Sequence, residues 1–228
     1  MKKLIILVLS VFLITSCSKD DDNYSLGKFW VGFGILQTTD YDTGSYRIIM
    51  DNKNVLIPVS VDFSIYDYAK NGDRILINYT ILDDNAHGSN PATEYYVMIN
   101  SVSKVLMKGI IDITEQNQDS IGNNPVNIGD IWITGDLLNI RFGYWGFNRT
   151  HYINLVKQPG ELNKDTVQPI ELEFRHNNNG DEENIPYTAY VSFRLNALKI
   201  DGLDSVKFVV KSTNYNGSEF RREGVYRY

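Results

Sequence analysis

Between residues 74 and 82 apolar and polar side chains alternate, placing Ile75, Ile77, Tyr79 and Ile81 on one face of an extended chain. The same two-residue period runs through Ile170, Leu172 and Phe174. It recurs through Tyr187, Ala189, Val191, Phe193 and Leu195, and again through Val206, Phe208 and Val210. A period of two suits a sheet with one face buried and does not suit a helix. Beyond residues 4–14 no window keeps a 3.6-residue apolar period across three turns, so the chain reads as all-β with room for one short helical turn over 63–70. Fifteen Tyr and ten Phe fit half-buried pleated surfaces.

The first twenty-two residues are of another kind. Met1-Lys2-Lys3 precedes an apolar run to Ile14, the layout of a signal peptide and too short for the ~20 residues of a conventional membrane span. Ile14-Thr15-Ser16-Cys17 resembles a lipobox, and Cys17 is the one cysteine of the chain. The expectation is removal of residues 1–16, lipidation of Cys17, and a lipid-anchored outer-membrane protein with no internal disulfide. Ser18-Lys19-Asp20-Asp21-Asp22 completes a tether over 17–23 and resembles the acidic tag that directs lipoproteins to the cell surface.

In the rest of the chain, composition shifts once, around Gln116-Asn117-Gln118-Asp119-Ser120-Ile121-Gly122-Asn123-Asn124. That polar, Asn- and Gly-rich stretch reads as a linker over 117–124, expected to be less ordered than its flanks and crossed by few apolar contacts. It divides a five- or six-stranded domain, 24–116, from a domain of about seven short strands, 125–228. Turns fall at Asn71-Gly72-Asp73 and Asp51-Asn52-Lys53-Asn54. Strand number and length predict an OB-like barrel followed by an Ig-like β-sandwich.

Gly44-Ser45-Tyr46-Arg47-Ile48-Ile49, Asn71-Gly72-Asp73-Arg74-Ile75, Gly129-Asp130-Ile131-Trp132-Ile133 and Tyr152-Ile153-Asn154-Leu155-Val156 resemble the NigD-like lipoproteins. The resemblance spans nearly all of the chain after the signal peptide. It implies the barrel-then-sandwich fold and an envelope location, and it brings no catalytic residues. It also raises the reading of a bacteriocin-associated or immunity-type envelope protein.

No catalytic constellation stands out, and no cofactor is implied. His87, His151 and His176 are not spaced as zinc ligands. Glu171 and Glu173 share a strand face and are the one pair that a glycan-acting hydrolase could use, a reading that needs a cleft between them. Tyr144, Trp145, Phe147 and Tyr152 surround Gly146 and offer a platform for a sugar or a peptide, or else plug one end of a sandwich. Asn177, Asn179, Asp181 and Glu183 place oxygens at alternate positions of a hairpin tip, a weak calcium candidate. Ser120, Thr166 and Ser205 each follow Asp and precede an apolar residue, a pattern resembling exported O-glycosylation sites. Within 24–116 carboxylates outnumber cations, which opposes a nucleic-acid role for the barrel. The reading is a non-enzymatic module, anchored to the membrane through Cys17, that binds a saccharide, a peptide or an envelope protein.

Overall fold

The structure is a computed structural model, and it describes residues 24–60, 65–84 and 93–228. The signal peptide, Cys17, the acidic tether and His87 lie outside those residues. Five strands close a barrel: β1 (Trp30–Asp40), β2 (Ser45–Met50), β3 (Val55–Ser60), β4 (Arg74–Asp84) and β5 (Glu94–Lys104), in the order β1-β2-β3-β5-β4. β3 and β5 run parallel and the other pairs run antiparallel. The alternating residues fill the interior as the pattern requires: Leu36, Ile48, Leu56, Ile75, Ile77 and Val97 are fully buried. The helical turn expected near 63–70 is a 3₁₀ turn, Ile65–Asp67, whose Ile65 joins the same core.

Eight strands form the second unit: β6 (Leu106–Asp112), β7 (Asn127–Thr134), β8 (Leu137–Gly146), β9 (Tyr152–Lys157), β10 (Ile170–Asn177), β11 (Ile185–Arg194), β12 (Ser205–Thr213) and β13 (Glu219–Arg227). Their order is β13-β12-β10-β9-β6-β11-β8-β7. β6 is the corner of the sandwich. Its residues 106–109 pair in parallel with β11, and its residues 110–112 pair in parallel with β9. Leu138, Ile140, Phe142, Leu155, Leu172, Phe174, Phe193 and Phe208 fill the space between the two faces.

Two sequence expectations give way here. A first domain ending at 116 takes in residues 106–112, yet they form a strand in the middle of the sandwich sheet, so the barrel ends at Lys104. Only Val105 joins the units; it is buried, and its amide donates to the Arg74 carbonyl at 2.8 Å. The stretch 117–124 is not a linker but a loop within the sandwich. It carries helix α1 (Gln118–Ile121), whose Ile121 packs with Ile113 and Val156. The Asn124 amide donates to His176 O (2.8 Å), the Asn124 side chain accepts from Asn178 N (3.0 Å), and the Val126 amide donates to Thr213 O (2.9 Å). The polar residues that read as linker chemistry satisfy the loop's own backbone, and one isoleucine is enough to seat it.

The units meet through outward faces of their sheets. Phe33 of the barrel lies 5.5 Å from Trp132 and 5.1 Å from Tyr190 of the sandwich, ring centre to ring centre. Beside it Arg74 is buried. It forms a two-pronged ion pair with Asp51 and donates to Asn139 Oδ1 across the junction at 3.0 Å. Ser192 donates to the same Asn139 oxygen at 2.7 Å, and Thr134 donates to Asp51 at 3.2 Å.

Close packing gives one stability prediction within the sandwich. Gly224 on β13 lies against buried Phe208, and a Cβ there would stand 2.5 Å from the ring's Cζ. Gly224→Ala is expected to lower the unfolding free energy by about 1–3 kcal/mol, because a ring enclosed on all sides has little room to retreat. Urea unfolding measures it, and an unchanged midpoint would contradict the tight fit.

Candidate functional site

The period through Ile170, Leu172 and Phe174 continues one step to His176, which therefore points into the sandwich and is buried. His151, just before β9, enters from the facing turn. His151 Nδ1 lies 2.8 Å from His176 Nε2, and His151 Nε2 lies 3.1 Å from Asp181 Oδ2. His176 Nδ1 reaches the Pro125 carbonyl at 3.3 Å. Asp181 accepts from the amides of Phe147 at 2.6 Å and Asn148 at 3.2 Å, and its side chain is 2 % exposed. A histidine from one turn thus joins a histidine and an aspartate from the opposite hairpin in one buried relay.

The relay's proton count follows from its partners. Asp181 as a carboxylate and Pro125 as a carbonyl can only accept. Three links need three protons, whereas two neutral imidazoles carry two, so the chain is fully bonded only when it holds a third. A fourth, on His176 Nε2, would face the hydrogen on His151. Burial pushes the His176 imidazole down to about 4; the Pro125 and Asn124 carbonyls oppose the shift and His151 adds to it. Burial works against the charge of Asp181. The amides of Phe147 and Asn148, His151 and the amide of Arg149 overcome it and hold the carboxyl well below the usual carboxylate range.

The four aromatic residues expected to form a platform separate. Tyr144 points inward: its ring is 4.8 Å from His151 and 5.6 Å from His176, and it stacks on Tyr187 at 5.4 Å. Burial, then Tyr187 and Asp181, raise its phenol pKa. Trp145, the next residue on β8, projects to the opposite face. Trp145, Phe147 and Tyr152 keep exposed rings, and Trp145 donates its amide to the Tyr215 hydroxyl at 2.9 Å. Tyr144 is thus a plug over the relay, and three rings remain at the surface.

The hairpin tip does not assemble a calcium shell. Its alternation was reckoned as for a strand, but the chain turns at the tip, with Asp181 N donating to Asn178 O and Asn179 at φ +56°. Asn177 Oδ1 accepts from Asn179 N at 2.7 Å, Asp181 is taken up by the relay, the Asn179 carbonyl accepts from Arg149, and Glu183 is exposed. Among the described residues no group of three or more His, Cys, Asp or Glu is arranged to hold a metal ion.

Glu171 and Glu173 lie on the outer face of β10 and line different hollows. Glu171 accepts from Lys211 at 2.6 Å, and that bond holds its carboxyl below the usual range. Glu173 accepts from Arg175 at 2.7 Å. A glycosidase pair faces its partner across a shared cleft; these two line different hollows. Ser120 is exposed in α1 and donates to Asn117 O, Thr166 accepts from Asn163 N in a loop, and half-buried Ser205 opens β12. Among the described residues no helix is long and apolar enough to cross a membrane.

Comparison with known proteins bears on the whole chain. Residues 109–223 match the NigD-like C-terminal beta sandwich domain, and residues 35–105 match the NigD-like N-terminal OB domain. The chain belongs to the NigD-like family. The two matched stretches part between residues 105 and 109, where the strands of this NigD-like protein also part. A protein called toxin-related from Parabacteroides distasonis is 26% identical, with a TM-score of 0.72 over 88% of this chain and 94% of that one. A protein of unknown function from Bacteroides vulgatus is also 26% identical, with a TM-score of 0.65 over 88% of this chain and 91% of that one. A NigD-like immunity protein from Bacteroides caccae shares the fold at 18% identity, with a TM-score of 0.63 over 87% and 93% of the two chains. Nothing matches among curated proteins.

The interdomain Arg74 and the His151–His176 relay were both missed in the sequence. His176 had a signal, since it continues the inward period of β10 by one step. Arg74 had none, because its face of β4 is buried only by the other unit.

Proposed function

We propose that this NigD-like chain is a non-enzymatic binding module, held at the outer membrane by lipid on Cys17 and turned toward the cell exterior. The observation that carries the reading is the contrast between its acids and its rings. Asp181 is committed to amides and His151, and Glu171 and Glu173 are each paired with a cation. Large rings instead stand exposed on both units, Tyr41 on the barrel and Trp145, Phe147 and Tyr152 on the sandwich. Its partner is a saccharide, a peptide or an envelope protein.

The anchor rests on the lipobox and on the position of the only cysteine. Cys17→Ala is expected to abolish incorporation of labelled palmitate and to move the protein from the membrane pellet to the soluble fraction; a variant that still pellets would contradict the anchor. External protease on intact cells is expected to cut the body. Protection until the outer membrane is broken would place it on the periplasmic side.

A second reading, an immunity-type or bacteriocin-associated role, is favoured by the fold shared with the protein named NigD-like immunity protein. Deleting the gene should then raise sensitivity to a co-encoded bacteriocin, and unchanged sensitivity would count against it.

A further inference from the structure

The barrel carries a hollow that the aromatic residues singled out in the sequence do not include. It lies between the turn joining β1 to β2 and the segment leading into β4. Its volume is about 550 Å³ and its walls are Thr38, Tyr41, Gly44, Tyr66, Lys70 and Asn71. That is within the ~300–1,000 Å³ of small-ligand sites. Its rings are fixed before any ligand arrives. The Asn71 side chain is the clamp: its oxygen accepts from Thr38 N at 2.9 Å, and its amide donates to the Tyr41 hydroxyl at 3.0 Å. The Tyr66 hydroxyl is 3.1 Å from Thr38 Oγ1, and the Tyr66 ring meets Tyr46 edge-on at 5.8 Å. Tyr41 is 77% exposed and yet tethered at its tip. The tether restrains the ring at its tip and so lowers the ordering cost that binding would otherwise carry.

The wall chemistry narrows the occupant. Its residues bring one ammonium, two phenols, one amide, one hydroxyl and no carboxylate. A polyanion would need several cations. A lipid chain would need aliphatic walls, and the main aliphatic stretch here is the Lys70 stem; a proline-rich peptide, which docks on aromatic grooves, is the rival that the test below separates. A pyranose matches: a C–H face for the tyrosine rings, and a rim of hydroxyls for Thr38, Asn71, Lys70 and the phenol oxygens. We infer that this tyrosine cleft binds a pyranose unit of a neutral oligosaccharide; the inference rests on the binding-module reading and names its ligand.

The test uses the full lipidated chain, extracted in a detergent without a sugar headgroup. It is titrated calorimetrically with cellohexaose, mannohexaose, xylohexaose and maltohexaose. At least one should bind. Tyr41→Ala and, separately, Asn71→Ala, which leaves both rings present but frees Tyr41, should each weaken it about tenfold or more. Trp145→Ala should leave the affinity unchanged. Circular dichroism on each variant separates loss of binding from loss of fold, and Tyr41, being exposed, can be truncated without opening the core. Failure of all four hexaoses overturns the inference, as does a proline-rich peptide that binds in their place. A hexaose lost with Trp145→Ala but kept with Tyr41→Ala overturns this site while leaving the module reading intact. None of these outcomes depends on which way the protein faces in the envelope.

Discussion

Arg74→Ala is expected to lower the unfolding free energy by about 3–5 kcal/mol and to split a single thermal transition into two. The guanidinium is 1% exposed and serves both units at once, paired with Asp51 in the barrel and bonded to Asn139 in the sandwich. Deleting it leaves the Asp51 charge with only Thr134 and leaves the Asn139 oxygen to Ser192. Asp51 is 24% exposed, so water reaches part of its charge, but truncating a buried arginine also empties the space that its stem and guanidinium fill. Phe33 loses its cation neighbour, 5.3 Å from the ring centre, along with the packing of the arginine stem. Arg74→Lys should recover only part of the loss, since an ammonium cannot grip Asp51 with two parallel bonds. Scanning calorimetry decides it. One transition displaced by less than about 1 kcal/mol would mean that the ring contacts of Phe33 hold the units together and Arg74 does not.

Acid is expected to destabilise the sandwich well before its carboxylates begin to titrate. His176 has an ordinary value of 6.5 and a folded value of about 4. Between those limits the unfolded chain takes up a proton that the native chain refuses, so stability is full above pH 6.5 and declines as pH falls toward 4. The shift sets a ceiling of about 3 kcal/mol, and solvent screening with coupling to His151 reduces it to about 2 kcal/mol. Asp181, also depressed, adds loss of the same sign below its ordinary value of 3.8. Tyr144 faces both histidine rings with Tyr187 stacked against it, Asp181 ends the relay, and Arg149 bonds the Asn179 carbonyl of the same hairpin tip. His176→Asn puts an amide nitrogen where Nδ1 sits, which keeps the bond to the Pro125 carbonyl, gives up the bond to His151, and does not titrate. It should therefore flatten the slope between pH 6.5 and 4 in urea unfolding followed by tryptophan fluorescence. An equal slope in both proteins would remove His176 as the cause.

The two-residue period carried most of the architecture. It located β4, β10, β11 and β12 and about two thirds of the buried residues within them, missing chiefly polar ones such as Arg74, Thr80, His176 and Ser192, because one-sided burial leaves its mark on local sequence. It said nothing of which sheet a strand would join. The 106–112 segment is mostly apolar and of barrel-strand length, and its place between β9 and β11 depends on residues far along the chain. The 117–124 stretch misled for a related reason: Asn and Gly are as common in a loop that bonds to itself as in one that swings free. The relay is a three-dimensional fact built from positions 151, 176 and 181. The tyrosine cleft joins a hairpin turn to residues some thirty positions later, and pairwise spacing does not show either.

The position of β6 shapes how a chain released from its N-terminus folds. Emerging from the N-terminus, the barrel can close once β5 appears, since all its pairings are then present. β6 follows at once with no partner. Val191 of β11, which pairs with Leu106, is still far from release, and so is the β9 residue Leu155 that pairs with Ile110. Parallel contacts at such separations are slow to close. The middle of the future sandwich therefore waits as a bare apolar edge beside a finished barrel, a state inviting chaperone capture or strand exchange between neighbouring chains. Severing the chain within the polar 117–124 stretch would strip the C-terminal fragment of the strand on which its two faces turn. Cutting beside Val105 would leave that strand in place.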